Sequence, residues 1–467
     1  MSDRRSVSEK TLSTAEATDK DRTTRADAKV KKLPPRVSGA KPGLGHAVEL
    51  LRNPIGLIQR GSREIGNVFS FRLPGSDGVV ILGTDNSRFI FSETDNLLSI
   101  SSAYPFFRRM FAPDFYFLAE DHEEYKKQQA VVVPRFQGRQ LESYLEIMDD
   151  QATSLERQLG DSGQFNLTDV FGPLVMRIAA HSFLGSGFGA KMTRDFYTEF
   201  RTFSRGMDFL TPSWLPVPHA VRSKRARDRL RKSLGAMIAE RRQRPLDPPD
   251  FLQLLSESQF ADGRALPELL LVNLLLMFAW AGHETTTGHI TWALIDLLRN
   301  PAELLRVQAE AELVTSPISM DGVKSLKHLD NCLLETERLH PVAYIIARQA
   351  AVDFDLGGYR IRKGTRVFVS PAVTHRLPEE FRRPEDFWPD RYGLGPEGKA
   401  ERQSLIGFGG GIHRCLGRQF AFLEMKVVLW RLLLDYQFTL LDPDPPRVSG
   451  ISSQWPGSPC RVRYRRR

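Results

Sequence analysis

The segment Phe408-Gly409-Gly410-Gly411-Ile412-His413-Arg414-Cys415-Leu416-Gly417 carries the most chemistry in the chain. Three consecutive glycines let backbone pass close to something bulky, or take positive φ angles. The cysteine stands at the start of an apolar helix, where backbone N–H groups and the positive helix end would stabilise a thiolate. A thiolate with glycine on both sides suits a flat ligand that approaches the backbone closely. A phosphate cradle fits less well, because no Gly-Lys-Ser/Thr follows and the sixth position of a GxGxxG frame from Gly407 is Ile412. An inert buried cysteine in a glycine turn is the plainer reading. The other cysteines are Cys332 and Cys460, and an odd number at such spacing gives neither a disulfide framework nor a zinc pair.

Two more groups could do chemistry. Ala281-Gly282-His283-Glu284-Thr285-Thr286 interrupts an apolar run. A hydroxyl beside a carboxylate in an apolar groove can relay protons. Thr285 could instead bond back to the carbonyl four residues earlier. Glu335-Thr336-Glu337-Arg338 places Glu335 and Arg338 three apart, on one helical face, where they can pair.

The elements that position these groups are mostly helical. Residues 47–64, about 120 to 340, and about Leu416 to Tyr436 carry helical spacing, and one helix runs from about Pro267 to Leu298, before Asn300-Pro301. Residues 198–241 read as two helices broken at Thr211–Pro216. Short strands are expected at Val68–Leu73 and Val79–Leu82, and again at Phe354–Leu356, Tyr359–Ile361 and Arg366–Val369. Length alone, 467 residues, suggests two or three domains. The pattern instead describes one large, mainly α body with small β-sheets at its edges, and no doubly wound alternation.

Composition is that of a globular protein, 41% hydrophobic and 26% charged, which excludes a disordered or disulfide-stapled chain. The net charge of +9 invites a nucleic-acid reading, but ten Lys/Arg against six Asp/Glu lie in residues 1–36 and five arginines in 461–467. Residues 37–460 are neutral overall. The expectation is a disordered basic tail over 1–34, a folded domain over 35–460, a basic tail over 461–467, and no nucleic-acid partner. The most apolar run, Leu266 to Gly282, is short for a membrane span and reads as a core helix, so no membrane anchor is expected.

The spacing Phe408-x-x-Gly411-x-x-x-Cys415-x-Gly417 resembles the heme-binding loop of cytochrome P-450 monooxygenases, and the resemblance covers about residue 35 to the end. It implies heme b as cofactor, with Cys415 as the iron ligand whose electron donation favours O–O cleavage. It further implies Phe408 packed near the sulfur, Gly411 and Gly417 giving clearance, and His413 at a heme propionate. Glu335 and Arg338 match the family's ExxR. Phe387-Trp388-Pro389-Asp390-Arg391-Tyr392 resembles its meander, so that Arg391 completes a buried structural triad. Ala281-Gly282-His283-Glu284-Thr285 resembles the oxygen-activation motif. There Ala281 and Gly282 let the helix lie against the heme face, Thr285 holds oxygen and water, and Glu284 feeds protons. Arg348 matches a propionate-binding arginine. His122 and Lys126 stand where many members have Trp and Arg in WxxxR.

Several stretches are closer to the sterol 14-demethylase branch, particularly its soluble bacterial members. They are Glu335–Pro341, Val462–Arg467 and Ala103-Tyr104-Pro105-Phe106-Phe107. On this resemblance Tyr104 donates to a propionate, and Phe106, Phe111, Ile345 and Ile346 line the substrate cavity. The chain departs from the branch at Glu284, where histidine is usual, and at Arg109 and Ala112, where proline and glycine are usual.

The implied activity is insertion of one atom of dioxygen into an apolar substrate, whether terpenoid, sterol-like, fatty acid or polyketide. Electrons would come from a ferredoxin and its reductase, docked at Arg414, Arg418 and Lys426. The enzyme is expected to be a cytoplasmic monomer. True sterol 14-demethylation, a peroxide-using or isomerising heme-thiolate enzyme, and a non-catalytic heme sensor are the alternatives.

Overall fold

The computed structural model describes residues 32–111, 115–119, 122–185, 194–204, 217–449 and 453–467. The first 31 residues, Ala112 and the break at Thr211–Pro216 lie outside the described residues.

The helices that build the site are α1 (Pro54–Ile65), α2 (Thr84–Ser92), α3 (Pro105–Met110), α4 (His122–Val132), α5 (Arg139–Leu159) and α6 (Leu167–Leu184). After these come α7 (Arg194–Ser204), α8 (Pro218–Gln243), α9 (Glu268–Arg299), α10 (Lys327–Leu339) and α11 (Arg418–Asp435). The helical stretch expected over 47–64 divides at Asn53-Pro54. Pro54 opens α1, and the Asn53 side chain accepts a 3.0 Å hydrogen bond from the Gly56 N–H. That cap satisfies an N-terminal donor and starts a new helix. The long helix α9 follows Pro267 and stops before Pro301, close to its expected bounds.

The strands are β1 (Val68–Leu73), β2 (Ser76–Ile81), β3 (Leu98–Ser99), β4 (Ser162–Asn166), β5 (Ile346–Ala350), β6 (Phe354–Leu356), β7 (Tyr359–Ile361), β8 (Arg366–Val369), β9 (Tyr436–Leu440), β10 (Arg447–Ser449), β11 (Gln454–Pro456) and β12 (Arg461–Arg466). One sheet has the order β1-β2-β8-β5-β3, with β2 and β8 parallel. Its two faces serve separate apolar clusters: Phe69, Phe71 and Val80 on one side, Val68, Val79, Ile81 and Val367 on the other. This is the period-two alternation of a strand buried on both faces. The main core packs α5, α6, α9, α10 and α11 together.

The C-terminal basic segment is not a tail. It is β12, the middle strand of a sheet ordered β4-β12-β9. Its alternation buries Val462 and Tyr464 and exposes Arg461, Arg463 and Arg465, with Arg461 paired to Asp442, while Arg466 at the strand's end pairs with Glu156. Charge counting missed this because a strand needs only every second residue to be apolar.

Candidate active site

Cys415 sits in the turn before α11, its N–H bonded at 2.9 Å to the Phe408 carbonyl, which closes the glycine loop. The side chain is exposed, yet burial pushes its thiol pKa up. A thiol that is both reachable and desolvated fits the wall of a recess. The amides of Gly417 and Arg418 and the Arg418 guanidinium oppose that rise, and Glu337 adds to it. The helix start therefore does favour a thiolate, but desolvation outweighs it until a cation is supplied.

Helix α9 shows the same signature. Between Leu271 and Leu297 only Ala281 and Thr285 are exposed. They are four apart and share one face, so a single stripe of an otherwise enclosed helix borders open space. The Thr285 hydroxyl donates to the Ala281 carbonyl at 2.6 Å. Glu284, half-buried, accepts a 2.6 Å hydrogen bond from Ser204 at the end of α7. Gly282 faces elsewhere. A Cβ there would make ordinary contact with Phe183 and Ala179 of α6. His283 is buried against the Gly172 carbonyl at 3.1 Å, and burial pushes its ring down to about 4, which keeps it neutral.

A polar rim borders this region. Arg348 on β5 is buried, donating to the Thr94 hydroxyl at 2.9 Å and the Ala347 carbonyl at 2.8 Å. Burial lowers its pKa, and it has no carboxylate ion pair among the described residues. A buried guanidinium in that state calls for an anion. Tyr104 is buried beside it, its oxygen accepting the Ala347 N–H at 2.8 Å. His413 pairs with Asp95 at 2.5 Å through Nε2 and stacks on Tyr125 at 4.3 Å, while its Nδ1 is buried without a partner. Burial would raise the Asp95 carboxyl, but hydrogen bonds from His413 and His122 hold it below the usual range.

The expected role of Lys126 changes. It is exposed and paired at 3.1 Å with Glu123. The residues of α4 that meet the cysteine loop are Tyr125 and Gln129, both bonded to the Ile412 carbonyl at 3.0 Å. Residues 125 and 129 lie on a different face from 122 and 126, which fixed-offset counting from Phe136 could not resolve. Among the described residues the His122 ring reaches only Asp95, at 3.4 Å.

Beneath the loop, Arg418 lies over the rings of Phe408 and Phe422 at 5.4 and 4.5 Å. Lys426 is buried, bonded to the Val323 carbonyl and to Asp330. Two of the three residues expected in a basic docking patch are thus turned inward, and Arg414 alone is exposed. Gly411 is required by its φ of +63° and by Phe91, whose carbonyl would lie 2.4 Å from a Cβ. Nothing lies near a Cβ on Gly417, which leaves the clearance expected there.

The Cytochrome P450 family model matches residues 35–454. This chain belongs to the cytochrome P450 family. The sterol 14alpha-demethylase of Mycolicibacterium vanbaalenii is 31% identical over 451 residues, covering 93% of this chain and 98% of that one. The human lanosterol 14-alpha demethylase is 27% identical over 449 residues, 93% of this chain and 87% of its own. A retinoic acid-bound cyanobacterial CYP120A1 superposes with a TM-score of 0.83 at 26% identity, over 94% of this chain and all of that one. The protein is a P450 monooxygenase, and P450s use heme. The cradle fits that group: an exposed stripe on α9, an enclosed thiol, clearance at Gly417 and a buried arginine without an acid.

The other cysteines of this P450 are placed otherwise. Cys460 immediately precedes β12 and bonds to Asn166, and Cys332 is buried beside His328.

Glu335 and Arg338 are fully buried on α10, and Arg391 joins them. Glu335 takes hydrogen bonds from Arg338 at 2.8 and 3.0 Å, Arg391 at 3.1 Å, Tyr392 at 2.9 Å and the Trp388 N–H at 2.9 Å. Arg391 also reaches Glu401 at 3.1 Å, a fourth member that sequence spacing did not reveal.

The aromatic run of α3 is a packed wall. Phe106 and Phe107 are 4.3 Å apart, Phe107 meets Trp280 of α9 edge-on at 5.4 Å, and Phe111 stacks on Phe115 at 4.9 Å. The wall therefore abuts α9 one residue before Ala281. Ile345 belongs to the cluster with Leu57 and Phe69, and Ile346 packs against the opposite sheet cluster. Strand alternation sends these two neighbours to opposite faces, so they do not form one continuous pocket wall.

Proposed function

We propose that the chain hydroxylates an apolar scaffold, using Cys415 as the heme-iron ligand and electrons from a ferredoxin. The observation that carries this reading is the enclosed yet reachable Cys415, together with the exposed Ala281–Thr285 stripe on a buried helix. Bound heme would supply the oxidising chemistry, insertion of one atom of dioxygen into a C–H bond with the other leaving as water. The protein residues position and protonate. Arg348 and His413 would hold the propionates by charge-assisted hydrogen bonds. The Thr285 hydroxyl, fixed by the Ala281 carbonyl, orders water on the exposed stripe. Glu284, oriented by Ser204, holds the proton that Thr285 passes on. The aromatic wall of Phe106, Phe107 and Phe111 excludes water and receives apolar substrate. Arg414 contributes to the donor's docking face, and the enzyme works as a cytoplasmic monomer.

The curated relatives act on sterols, as their names state, and sterol 14-demethylation is the second reading. Glu284 in place of the branch's histidine favours a single hydroxylation of a scaffold that is not a 14-methyl sterol. In the reduced carbonyl complex, the wild type is expected to show the red-shifted Soret band of thiolate heme. Cys415→Ala should lose that band, whereas Cys460→Ser and Cys332→Ser keep it. Retention in Cys415→Ala would remove the ligand assignment. Lanosterol should give little spin-state shift, and clean loss of its 14-methyl group would install the second reading.

A further inference from the structure

A recess of about 440 Å³ opens between the first turn of α1, the end of α10 and strands β10 and β11. It is separate from the cysteine loop and shares no lining residue with it. Three arginines line it, Arg52, Arg376 and Arg447, against a single acid, Glu385. That acid is a weak counterweight, since its side chain is 70% exposed and already committed to Arg376.

The two inner arginines are fixed. Arg376, its side chain 19% exposed, donates to the Leu339 carbonyl at 2.9 Å and to Glu385. Arg447 lies 5.3 Å over the Trp292 ring and donates to Gln454 at 3.3 Å. Its other terminal nitrogen meets His340 Nδ1 at 3.2 Å. His340 is itself stacked on Trp292 at 4.1 Å and tied to Asp296 of α9 at 3.2 Å. Arg447 is thus braced from behind by a buried aromatic stack.

This arrangement costs free energy as it stands. Burial lowers the pKa of both Arg376 and Arg447, and the positive charge of Arg376 lowers Arg447 further. Glu385 and Asp296 offset this only in part, and an oxyanion held by the remaining N–H groups of the two guanidinium groups would relieve it. The volume is that of a small-molecule site.

We propose that this recess binds a small molecule through a carboxylate or phosphate group gripped by Arg376 and Arg447, with Arg52 at its mouth. Calorimetry on the heme-loaded full chain tests it, with inorganic phosphate and succinate titrated separately at ionic strength balanced by potassium chloride. Saturable binding of one equivalent is expected with at least one probe, without change in the Soret band. Phosphate alone would assign a phosphate ester, succinate alone an organic acid, and both the shared oxyanion chemistry. Arg447→Gln should weaken binding about tenfold or more, since it removes a charge-assisted fork. Arg52→Glu should weaken it about threefold or more by reversing a rim charge. Arg52 is exposed and its side chain makes no hydrogen bond among the described residues, so this variant reads the site even if Arg447→Gln fails to fold. No saturable heat with either probe, or unchanged affinity in the folded variants, would overturn the proposal.

Discussion

Ser204 donates its hydroxyl to Glu284 at 2.6 Å, tying the end of α7 to the one carboxylate beside Thr285. The bond aims a side chain that would otherwise sample several rotamers. Glu284→Gln keeps the size and loses the proton-holding oxygen. Thr285→Ala loses the hydroxyl. Both are expected to slow product formation about tenfold or more, within the usual worth of a proton relay. Reduced nicotinamide consumption should continue and hydrogen peroxide accumulate. Ser204→Ala should give a milder version of the same uncoupling. Fully coupled turnover in the first two variants would count against the relay.

The buried pair of Glu335 and Arg338 is satisfied by five hydrogen bonds to one carboxylate. Removing that carboxylate leaves buried Arg338 without its acid partner and Arg391 with Glu401 alone. Glu335→Ala should cost about 3–5 kcal/mol. The measurement is soluble yield and heme occupancy after expression at reduced temperature, and both should fall sharply.

Glu337 is buried beside Gly407, with Oε2 unpartnered, and burial pushes its carboxyl up to about 7 against Arg418 and Arg414. The folded protein therefore binds this proton more tightly than the unfolded chain. Stability from this group is full below about pH 4.5 and declines as pH rises towards 7. The size is on the order of 3 kcal/mol. Glu337→Gln should flatten that slope and raise the urea midpoint at pH 8, as unfolding curves at pH 5 and pH 8 would show.

The two chain ends should respond differently to truncation. Deleting residues 1–31 should leave heme content and turnover nearly unchanged. Deleting 461–467 removes the strand between β4 and β9 and uncovers their edges, along with the partners of Val462 and Tyr464. Buried side chains of this size contribute about 1.5–3 kcal/mol each. That variant should aggregate or melt at a markedly lower temperature in a thermal scan.

Sequence alone determined the helical body, the bounds of α9 and α11, and the placement of Cys415 before an apolar helix. These are local matters of periodicity, proline stops and glycine turns, which nearby residues dictate. The ExxR spacing likewise put Glu335 and Arg338 on one helical face. The tertiary structure decided whatever depends on partners far away in the chain. It brought Glu401 to Arg391, Asp95 to His413, and Ser204 to Glu284, contacts that no spacing rule gives. It turned Lys126 to solvent and Lys426 and Arg418 inward, because helix rotation is set by the apolar faces packed behind them. It also made a core strand of a run of arginines. Net charge adds over residues without regard to direction, whereas burial depends on which side of the strand each residue faces.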